Sequence, residues 1–279
     1  MTGARRLGIV AGGGQFPAMV ARAGKDRGLG VIAAGFVRET RAELAEDVDV
    51  FRFFRLGQLG RIISFFKKHR VETVVFAGPV NKPRALDIRP DFRATRLLLR
   101  LAGRSDDSIL RAVAREFEGE GMAVASALDI VPELATRPGI LTQFSPGTRE
   151  RADVIYGWPI AKELGRLDIG QCLVVRERMV VAVEGIDGTD ATILRAGNLA
   201  GPGCVVVKVF KPGQDHRLDM PAVGLGTLHH MHRAGATCLA VESGRSLFFD
   251  PAEALAFANE VGISIVGLGE GDVTTFLGP

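Results

Sequence analysis

Short apolar runs alternate with longer segments of helical periodicity along the whole chain. In the first half, Arg6–Ala11, Val31–Phe36 and Thr73–Ala77 have the length and composition of buried strands. The segment Gln58–His69 places apolar residues at helical spacing and ends in basic residues, as amphipathic helices do. Strands that alternate with helices predict an α/β domain with a mostly parallel sheet.

The second half repeats this alternation and adds a hairpin. Two β-rich runs, Cys172–Val175 and Met179–Glu184, flank a charged turn, which predicts antiparallel pairing. The remaining predicted strands are Val205–Phe210, Cys238–Glu242, Leu247–Phe249 and Ile263–Leu268, and helices are expected from Thr148 towards Gly165, from a proline-initiated segment to Arg233, and over Pro251–Val261. This pattern predicts a second α/β domain, with a mixed sheet and helices.

The boundary between the two predicted domains falls in Ala135–Gly147. This segment contains two Pro-Gly dipeptides and has no helical periodicity. We therefore expect an N-terminal domain over residues 1–138, a linker over 139–147 and a C-terminal domain over 148–279.

Composition supports this division and narrows the class of protein. The chain has 279 residues, 47% of them hydrophobic and 24% charged, which is typical of a globular protein with two domains. No apolar run approaches the roughly 20 residues that a membrane-spanning helix needs, and the N-terminal apolar run is too short for a secretory signal. Three widely spaced cysteines predict buried, reduced thiols in a cytosolic protein.

Charge is distributed unevenly between the halves. Residues 1–138 carry 23 Lys and Arg against 16 Asp and Glu, whereas residues 139–279 carry 12 against 16. The arrangement predicts an anion-attracting domain beside a carboxylate-bearing one. Complementary charge across an ordinary domain interface would give the same asymmetry.

A glycine-rich loop follows the first predicted strand. The triplet Gly12, Gly13 and Gly14 separates this strand from a predicted helix, as in a Rossmann-like nucleotide-binding unit, where backbone N–H groups approach a phosphate. Pro17 breaks the dinucleotide fingerprint, so a tight turn without a ligand is an equal alternative. After the third strand, a proline-fixed loop offers Asn81 and Lys82 as polar ligand contacts.

A basic amphipathic segment, Asp91–Arg104, carries four arginines at steps of three and four residues, with leucines between them. Such a helix can lie on an anionic membrane or cover a lipid chain. The commoner interpretation is a surface helix packed on its own sheet.

The strongest chemical pattern lies between Lys208 and Gly235. A predicted strand ends in Lys208 and Lys211, and a polar loop with Arg217 and Asp219 follows. Cations next to a carboxylate-bearing loop are what a phosphate- or metal-handling site requires. A solvated loop between a strand and a helix remains the ordinary alternative.

Three carboxylates of the second half, Glu184, Asp190 and Asp219, stand where predicted strands give way to polar loops. Oxygen ligands of this kind suit Mg²⁺. The histidines are a weaker metal signal, because on a helix His229 and His232 share a face while His230 points away. A single histidine on a phosphate, or simple exposure to solvent, is favoured over zinc.

Several motifs in order along nearly the whole chain resemble one family. They are the N-terminal Ala-Gly-Gly-Gly, the Phe76-Ala77-Gly78 loop, the block Gly165–Gln171, the Gly188–Ala191 turn, the Lys-Pro-x-Gln-x-x-Arg-x-Asp-x-Pro run from Lys211 to Pro221, and Thr227-Leu228-His229. Together they resemble the UDP-2,3-diacylglucosamine pyrophosphatases of the LpxI type. Pro79 and His230-Met231-His232 depart from the family pattern.

The resemblance implies a Mg²⁺-dependent hydrolase of lipid A biosynthesis, cytoplasmic, dimeric and peripheral to the inner membrane. It would cleave UDP-2,3-diacylglucosamine to UMP and 2,3-diacylglucosamine 1-phosphate (lipid X), and no nucleic acid partner is expected. It implies that Asp219 is the essential aspartate. The wider set that we infer comprises Lys208, Lys211 and Arg217 for charge stabilisation, Asp190 and Glu184 with Asp219 for the metal, and Gly12, Gly13, Gly14, Asn81, Lys82, Thr189 and His229 for the substrate.

Two other functions compete with this hypothesis. The glycine loop is compatible with a nucleotide-dependent oxidoreductase, although the missing third glycine of the fingerprint opposes it. A non-enzymatic regulator that binds a lipid or a nucleotide would use the same carboxylates structurally.

Overall fold

The computed structural model describes residues 5–80, 90–101, 106–269, 271 and 273. It divides into two compact units. The first comprises Met1–Pro132 together with Asp215–Asp219, and the second comprises Glu133–Gln214 together with Met220–Pro279. The chain therefore leaves the second unit once, contributes five residues to the first, and returns.

The first unit is a five-stranded parallel sheet with helices. Its strands are β1 (Arg6–Ala11), β2 (Gly30–Phe36), β3 (Val50–Phe54), β4 (Thr73–Ala77) and β5 (Ala123–Val124), and its helices are α1 (Phe16–Asp26), α2 (Leu44–Asp47), α3 (Leu59–Lys68), α4 (Phe92–Arg100) and α5 (Asp106–Glu118). The strand order is β3-β2-β1-β4-β5, and every pair is parallel. Connections run outwards in both directions from β1, so the sheet is doubly wound. The prediction of a Rossmann-like, mostly parallel sheet is confirmed.

The basic segment of the first unit forms α4 as an amphipathic surface helix. The side chain of Asp91 caps it by accepting a hydrogen bond from the Ala94 N–H at 3.0 Å. Ala94 and Leu97 are buried against the same core as α3 and α5. The interpretation of a helix packed on its own sheet is thus confirmed for the described turns; residues 102–105 lie outside the described residues.

The second unit contains a six-stranded mixed sheet in the order β6-β13-β11-β9-β7-β8. Its strands are β6 (Gly139–Ile140), β7 (Cys172–Arg176), β8 (Met179–Val183), β9 (Val205–Lys208), β11 (Cys238–Glu242) and β13 (Ser264–Leu268), and β10 (Ala222–Val223) pairs separately with β12 (Leu247–Phe248). The helices are α6 (Thr148–Arg166), α7 (Gly188–Ala200), α8 (Leu225–Ala234) and α9 (Pro251–Val261). β9, β11 and β13 are mutually parallel, whereas β6 and β7 run antiparallel to their neighbours. The predicted mixed sheet and its hairpin are confirmed.

Three local predictions need correction. The expected linker 139–147 begins with β6, which pairs with β13, and the Leu141 N–H donates to the Ile265 carbonyl at 2.9 Å. This extended segment satisfies its backbone groups on a sheet edge and belongs to the second unit. The Gly188–Ala191 turn is instead the first turn of α7, and the proline-initiated helix starts only at Leu225, after β10.

The three cysteines are free and buried in the second unit, as predicted. Burial raises the pKa of the Cys172 and Cys238 thiols to about 12. Among the described residues, no helix combines the length and apolar character that a membrane crossing requires.

Candidate functional site

One edge of the second sheet collects ionisable side chains. Lys208 and Glu242 are the last residues of the parallel strands β9 and β11. β8 runs in the same direction, because β7 is antiparallel to both β8 and β9, and Glu184 follows β8 directly. Carboxyl ends of strands are where α/β sheets usually place ligands.

Lys208, Thr189 and Glu184 form a buried polar chain at this edge. The Lys208 ammonium, with only 6% of the residue exposed, donates to the Ala222 carbonyl at 2.8 Å and to the Thr189 hydroxyl at 3.0 Å. That hydroxyl donates to Glu184 Oε1 at 2.6 Å. The sequence analysis assigned Lys208 to charge stabilisation, Thr189 to the substrate and Glu184 to the metal. In the fold, the Thr189 hydroxyl connects the other two side chains.

Glu184 is held from both sides. Its second oxygen, Oε2, accepts the Gln171 N–H at 2.9 Å, and the residue is buried. Gly170 is pressed against it, since a Cβ there would lie 2.3 Å from the Glu184 carbonyl oxygen. Both carboxylate oxygens already accept hydrogen bonds within the protein, which opposes the prediction that Glu184 is a metal ligand and favours an anchoring role.

Lys211 lies nearer the surface than Lys208. Its ammonium pairs with Asp168 at 2.9 Å, and 23% of its side chain is exposed. Gly165 packs on its backbone, because a Cβ there would meet the Lys211 Cα at 3.1 Å. The motif Gly165–Gln171 therefore positions the backbone and the charge of Lys211 and also supplies the amide that holds Glu184.

Sequence reasoning missed a buried ion pair at the same edge. Glu242, 1% exposed, accepts from the Lys162 ammonium at 2.5 Å and from the Phe210 N–H at 2.9 Å. Lys162 also donates to the Phe210 carbonyl at 3.2 Å. The pair therefore holds both backbone groups of the residue before Lys211. The signal that would have found it is an ionisable residue, Glu242, at the end of an apolar strand, as Lys208 is at the end of the neighbouring strand.

The loop that carries Arg217 is fastened to the first unit. Its guanidinium pairs with Asp215 at 2.7 Å and with Glu118 at 2.8 Å, and it donates to the Val124 carbonyl at 3.3 Å. These carboxylates raise the pKa of Arg217, with Asp215 contributing most. Leu218 is buried in the same core as β5 and α5. Arg217 thus works as an anchor of the loop, whereas the sequence suggested a cation for the transferred phosphate.

Asp219 ends this anchored segment and is exposed to solvent. Its N–H donates to the Asp215 carbonyl at 3.4 Å, which closes a turn over residues 215–219. The two residues before it, Arg217 and Leu218, are fixed by charge and by burial. The fold therefore holds the backbone of Asp219 in place and leaves the residue accessible.

The glycine loop of the first unit serves packing more than the sequence suggested. The Gly12 N–H donates to the Ala77 carbonyl at 2.8 Å and the Gly13 N–H to the Pro79 carbonyl at 2.7 Å. A Cβ on Gly12 would lie 2.3 Å from the Gly78 carbonyl oxygen, so only glycine fits. These two amides are engaged within the protein, which opposes their use for phosphate, whereas Gly14 is exposed with φ of 77°.

Asp190 and the histidines lie on α7 and α8. Asp190, in the first turn of α7, has 57% of its side chain exposed and lies 3.7 Å from His230 Nδ1. His229 and His232 both contact the Phe257 ring, while His230 turns to the Gly226 carbonyl, as the helical spacing predicted. No described group of three His, Cys, Asp or Glu side chains is arranged to hold a metal ion. Asn81 and Lys82 lie outside the described residues.

A doubly wound parallel sheet and a mixed sheet with ionisable strand ends define a two-domain α/β protein. The model of the LpxI N-terminal domain matches residues 6–134, and that of the LpxI C-terminal domain matches residues 137–266. The chain therefore belongs to the LpxI family. It is 34% identical over 277 residues to the UDP-2,3-diacylglucosamine pyrophosphatase LpxI of Caulobacter vibrioides, covering 95% of this chain and 98% of that protein.

Similarities to solved structures are weak. The biotin carboxylase domain of the Hydrogenobacter thermophilus 2-oxoglutarate carboxylase is 17% identical with a TM-score of 0.28, covering 71% of this chain and 42% of that one. The N5-carboxyaminoimidazole ribonucleotide synthetase of Thermus thermophilus is 16% identical with a TM-score of 0.26, covering 72% and 45%. This chain spans less than half the length of either, and similarities at this level support no argument about function.

Proposed function

We propose that the protein hydrolyses the diphosphate bond of UDP-2,3-diacylglucosamine, releasing UMP and 2,3-diacylglucosamine 1-phosphate in lipid A biosynthesis. The observation that carries the proposal is the near full-length similarity to the Caulobacter enzyme of that name, at 34% identity. Both family domains match in order, so the similarity covers both units rather than one shared motif.

Asp219 is the residue to which we assign the reaction. It is an exposed carboxylate on a loop whose neighbouring residues are locked, so its position is set before substrate arrives. Lys211, partly exposed and fixed by Asp168, is the cation that we assign to the phosphoryl oxygens. Lys208 is buried, and we assign it to holding Thr189 and Glu184 in place.

Mg²⁺ fits part of the predicted ligand set. It commonly takes one or two carboxylates together with substrate phosphates, and the exposed carboxylates Asp219 and Asp190 have suitable oxygen chemistry, whereas Glu184 is enclosed. When bound, Mg²⁺ would supply charge neutralisation and acidify a water molecule. We therefore retain Asp219 of the first unit and Asp190 of the second as alternative carboxylate ligands, either of which would act with the substrate phosphates.

The test is incubation with UDP-2,3-diacylglucosamine with and without Mg²⁺, followed by chromatography for UMP. We expect Asp219→Ala to lower turnover by at least about 10³-fold while leaving the unfolding transition in place, because the carboxylate is exposed. Asp26→Ala, at an exposed aspartate that ends α1, is the matched control and should retain full activity. UMP release by Asp219→Ala at the wild-type rate would reject the assignment.

We also propose a homodimer that works at the inner membrane surface on the cytoplasmic side. The outer face of α4 supports membrane contact, since Phe92 and Leu99 are 85% and 76% exposed and Arg96 and Arg100 lie among them. Co-sedimentation with anionic vesicles, reduced in Phe92→Ser/Leu99→Ser, and light scattering for the dimer mass test these points.

A further inference from the structure

Arg245 is an exposed cation at the carboxyl edge of the second sheet that no pattern of the sequence singled out. It follows Glu242, the last residue of β11, by three positions, and 50% of its side chain is exposed. Its guanidinium carbon lies 5.9 Å from the centroid of the Phe210 ring, and Phe210 directly precedes Lys211. We propose that Arg245 donates hydrogen bonds to the diphosphate of the substrate beside Lys211, an inference that rests on the proposed function.

The turn that carries Arg245 is fixed on both sides of this residue. Before it, the Gly244 N–H donates to the Thr136 carbonyl at 2.9 Å. After it, the fully buried Ser246 hydroxyl donates to the Glu242 carbonyl at 2.5 Å. The fold therefore sets the backbone of Arg245 before a ligand arrives and leaves its side chain accessible.

The ion pair with Glu242 is too long to be the main role of Arg245. Oε2 of Glu242 already accepts from the Lys162 ammonium at 2.5 Å and from the Phe210 N–H at 2.9 Å. Arg245 Nη1 lies 3.9 Å from the other oxygen, Oε1, which is beyond hydrogen-bonding distance. Oε1 accepts no hydrogen bond from the described residues. A half-exposed cation at this distance adds little to stability, so the carboxylate orients the guanidinium without binding it tightly.

The charges at this position favour an anion. Lys162 and Arg245 face the same carboxylate, so together with Glu242 they carry one net positive charge. Lys211, by contrast, is matched by Asp168 at 2.9 Å. A net positive group at the carboxyl edge of an α/β sheet is where a phosphate-containing ligand is expected.

Arg245 and Lys211 offer a diphosphate two kinds of cation. Consecutive Cα atoms are about 3.8 Å apart, so the ring that Arg245 covers is next to the backbone of Lys211. An ammonium is a compact point charge, whereas a guanidinium donates two parallel hydrogen bonds to the oxygens of one phosphoryl group. Such donors stabilise the charge that moves among phosphoryl oxygens during hydrolysis. Arg245 thereby takes the role that the sequence suggested for Arg217, which the fold uses as an anchor.

Two variants of Arg245 and one control test this assignment. Arg245→Met removes the charge and keeps a long side chain beside Phe210, and Arg245→Lys keeps the charge without the paired donors. Arg178→Met is the matched control, because Arg178 is an exposed arginine of the same unit in the turn between β7 and β8, at the opposite edge of the sheet. Each protein is assayed for UMP release from UDP-2,3-diacylglucosamine and for binding of UDP and of uridine by calorimetry, and thermal unfolding reports on the fold.

We expect Arg245→Met to lower kcat/KM by about 10²-fold and to weaken UDP binding by at least about tenfold, as the loss of a charged hydrogen-bond donor does. Arg245→Lys should recover part of both losses, and Arg178→Met should match wild type within about twofold. Uridine, which has no phosphate, should bind all four proteins equally. The unfolding temperature of Arg245→Met should stay within about 3 °C of wild type.

A folded Arg245→Met with wild-type kcat/KM and wild-type affinity for UDP would overturn the assignment. Equal losses of affinity for UDP and for uridine would also overturn it, because Arg245 would then act on the shape of the site and not on the diphosphate. If Arg245→Met does not fold, Arg245→Lys decides: wild-type values reject the guanidinium contact, and a loss confined to UDP supports it. If wild type binds UDP but releases no UMP, the proposed function fails, and the comparison of UDP with uridine still decides the role of Arg245.

Discussion

At the carboxyl edge of the first sheet, glycines and apolar side chains occupy the strand ends, whereas in the second sheet ionisable side chains occupy them. Gly12 and Gly78 bring two loops of the first unit within backbone contact, beside an apolar cavity. In the second unit, Lys208 and Glu242 end neighbouring strands in buried polar contacts. The same architectural position is thus built once by close backbone packing and once by paired charges.

This difference shows that conspicuous polar residues need not be the reacting ones. Glu184, Lys208 and Arg217 are ionisable residues of the motifs, and each already has its main hydrogen-bonding groups engaged by the protein. Buried charges require such partners, because leaving one unpaired is costly. Asp219 and Lys211 are more exposed and lie within three residues of Arg217 and Lys208, respectively. The contacts of Arg217 and Lys208 therefore fix the backbone from which the two exposed side chains extend.

The largest expected effect comes from breaking the buried pair of the second unit. Glu242→Ala leaves the Lys162 ammonium without its carboxylate partner and the Phe210 N–H without its acceptor, and should lower the free energy of unfolding by about 3–5 kcal/mol, measured by urea denaturation. Because Phe210 precedes Lys211, turnover of the remaining folded protein should also fall.

Two further variants sharpen this prediction. Glu163→Ala removes an exposed carboxylate from the same helix as Lys162 and should cost less than about 0.5 kcal/mol. The double variant Lys162→Met/Glu242→Leu should recover much of the lost stability, because apolar side chains of similar size replace both charges. A loss below about 1 kcal/mol in Glu242→Ala would show that this edge does not depend on its buried charges.

The difference between the edges also separates what the sequence predicts from what it does not. Apolar runs such as Thr73–Ala77 and Cys238–Glu242 predict both sheets, because burial on two faces requires continuous apolar strands. The joining of Lys208 to Glu184 through Thr189 was not predictable, since it depends on which strands become neighbours. The pairing of Arg217 with Glu118 was not predictable for a similar reason, because the two residues are 99 apart in sequence.

A smaller effect is expected at the first edge, where packing replaces charge. Gly12→Ala would place a Cβ 2.3 Å from the Gly78 carbonyl oxygen, and backbone atoms cannot rotate away. It should lower the free energy of unfolding by about 1–3 kcal/mol.

Gly13→Ala is the neighbouring control. The added Cβ would lie 3.3 Å from its nearest neighbour, the Glu39 carbonyl oxygen, so this variant should cost less than about 1 kcal/mol. If instead Gly13→Ala raises KM while Gly12→Ala leaves stability unchanged, the loop binds the substrate and does not serve mainly in packing.

The smallest effect concerns Asp215, the carboxylate that pairs with the anchoring Arg217. The hydrogen bond from Arg217 lowers the pKa of Asp215 in the folded protein, so the pair stabilises the fold above the unfolded pKa, and this contribution disappears as pH falls through the folded value. Between about pH 6 and pH 3, Arg217→Met should therefore lose about 1 kcal/mol less free energy of unfolding than wild type does. Urea denaturation at a series of pH values measures this difference. Arg195→Met is the comparison in the second unit, where the pKa of Asp187 is also lowered but the pair is more exposed, and its effect should be smaller. An unchanged pH dependence in Arg217→Met would mean that Leu218, and not the charge pair, holds the Asp219 segment on the first unit.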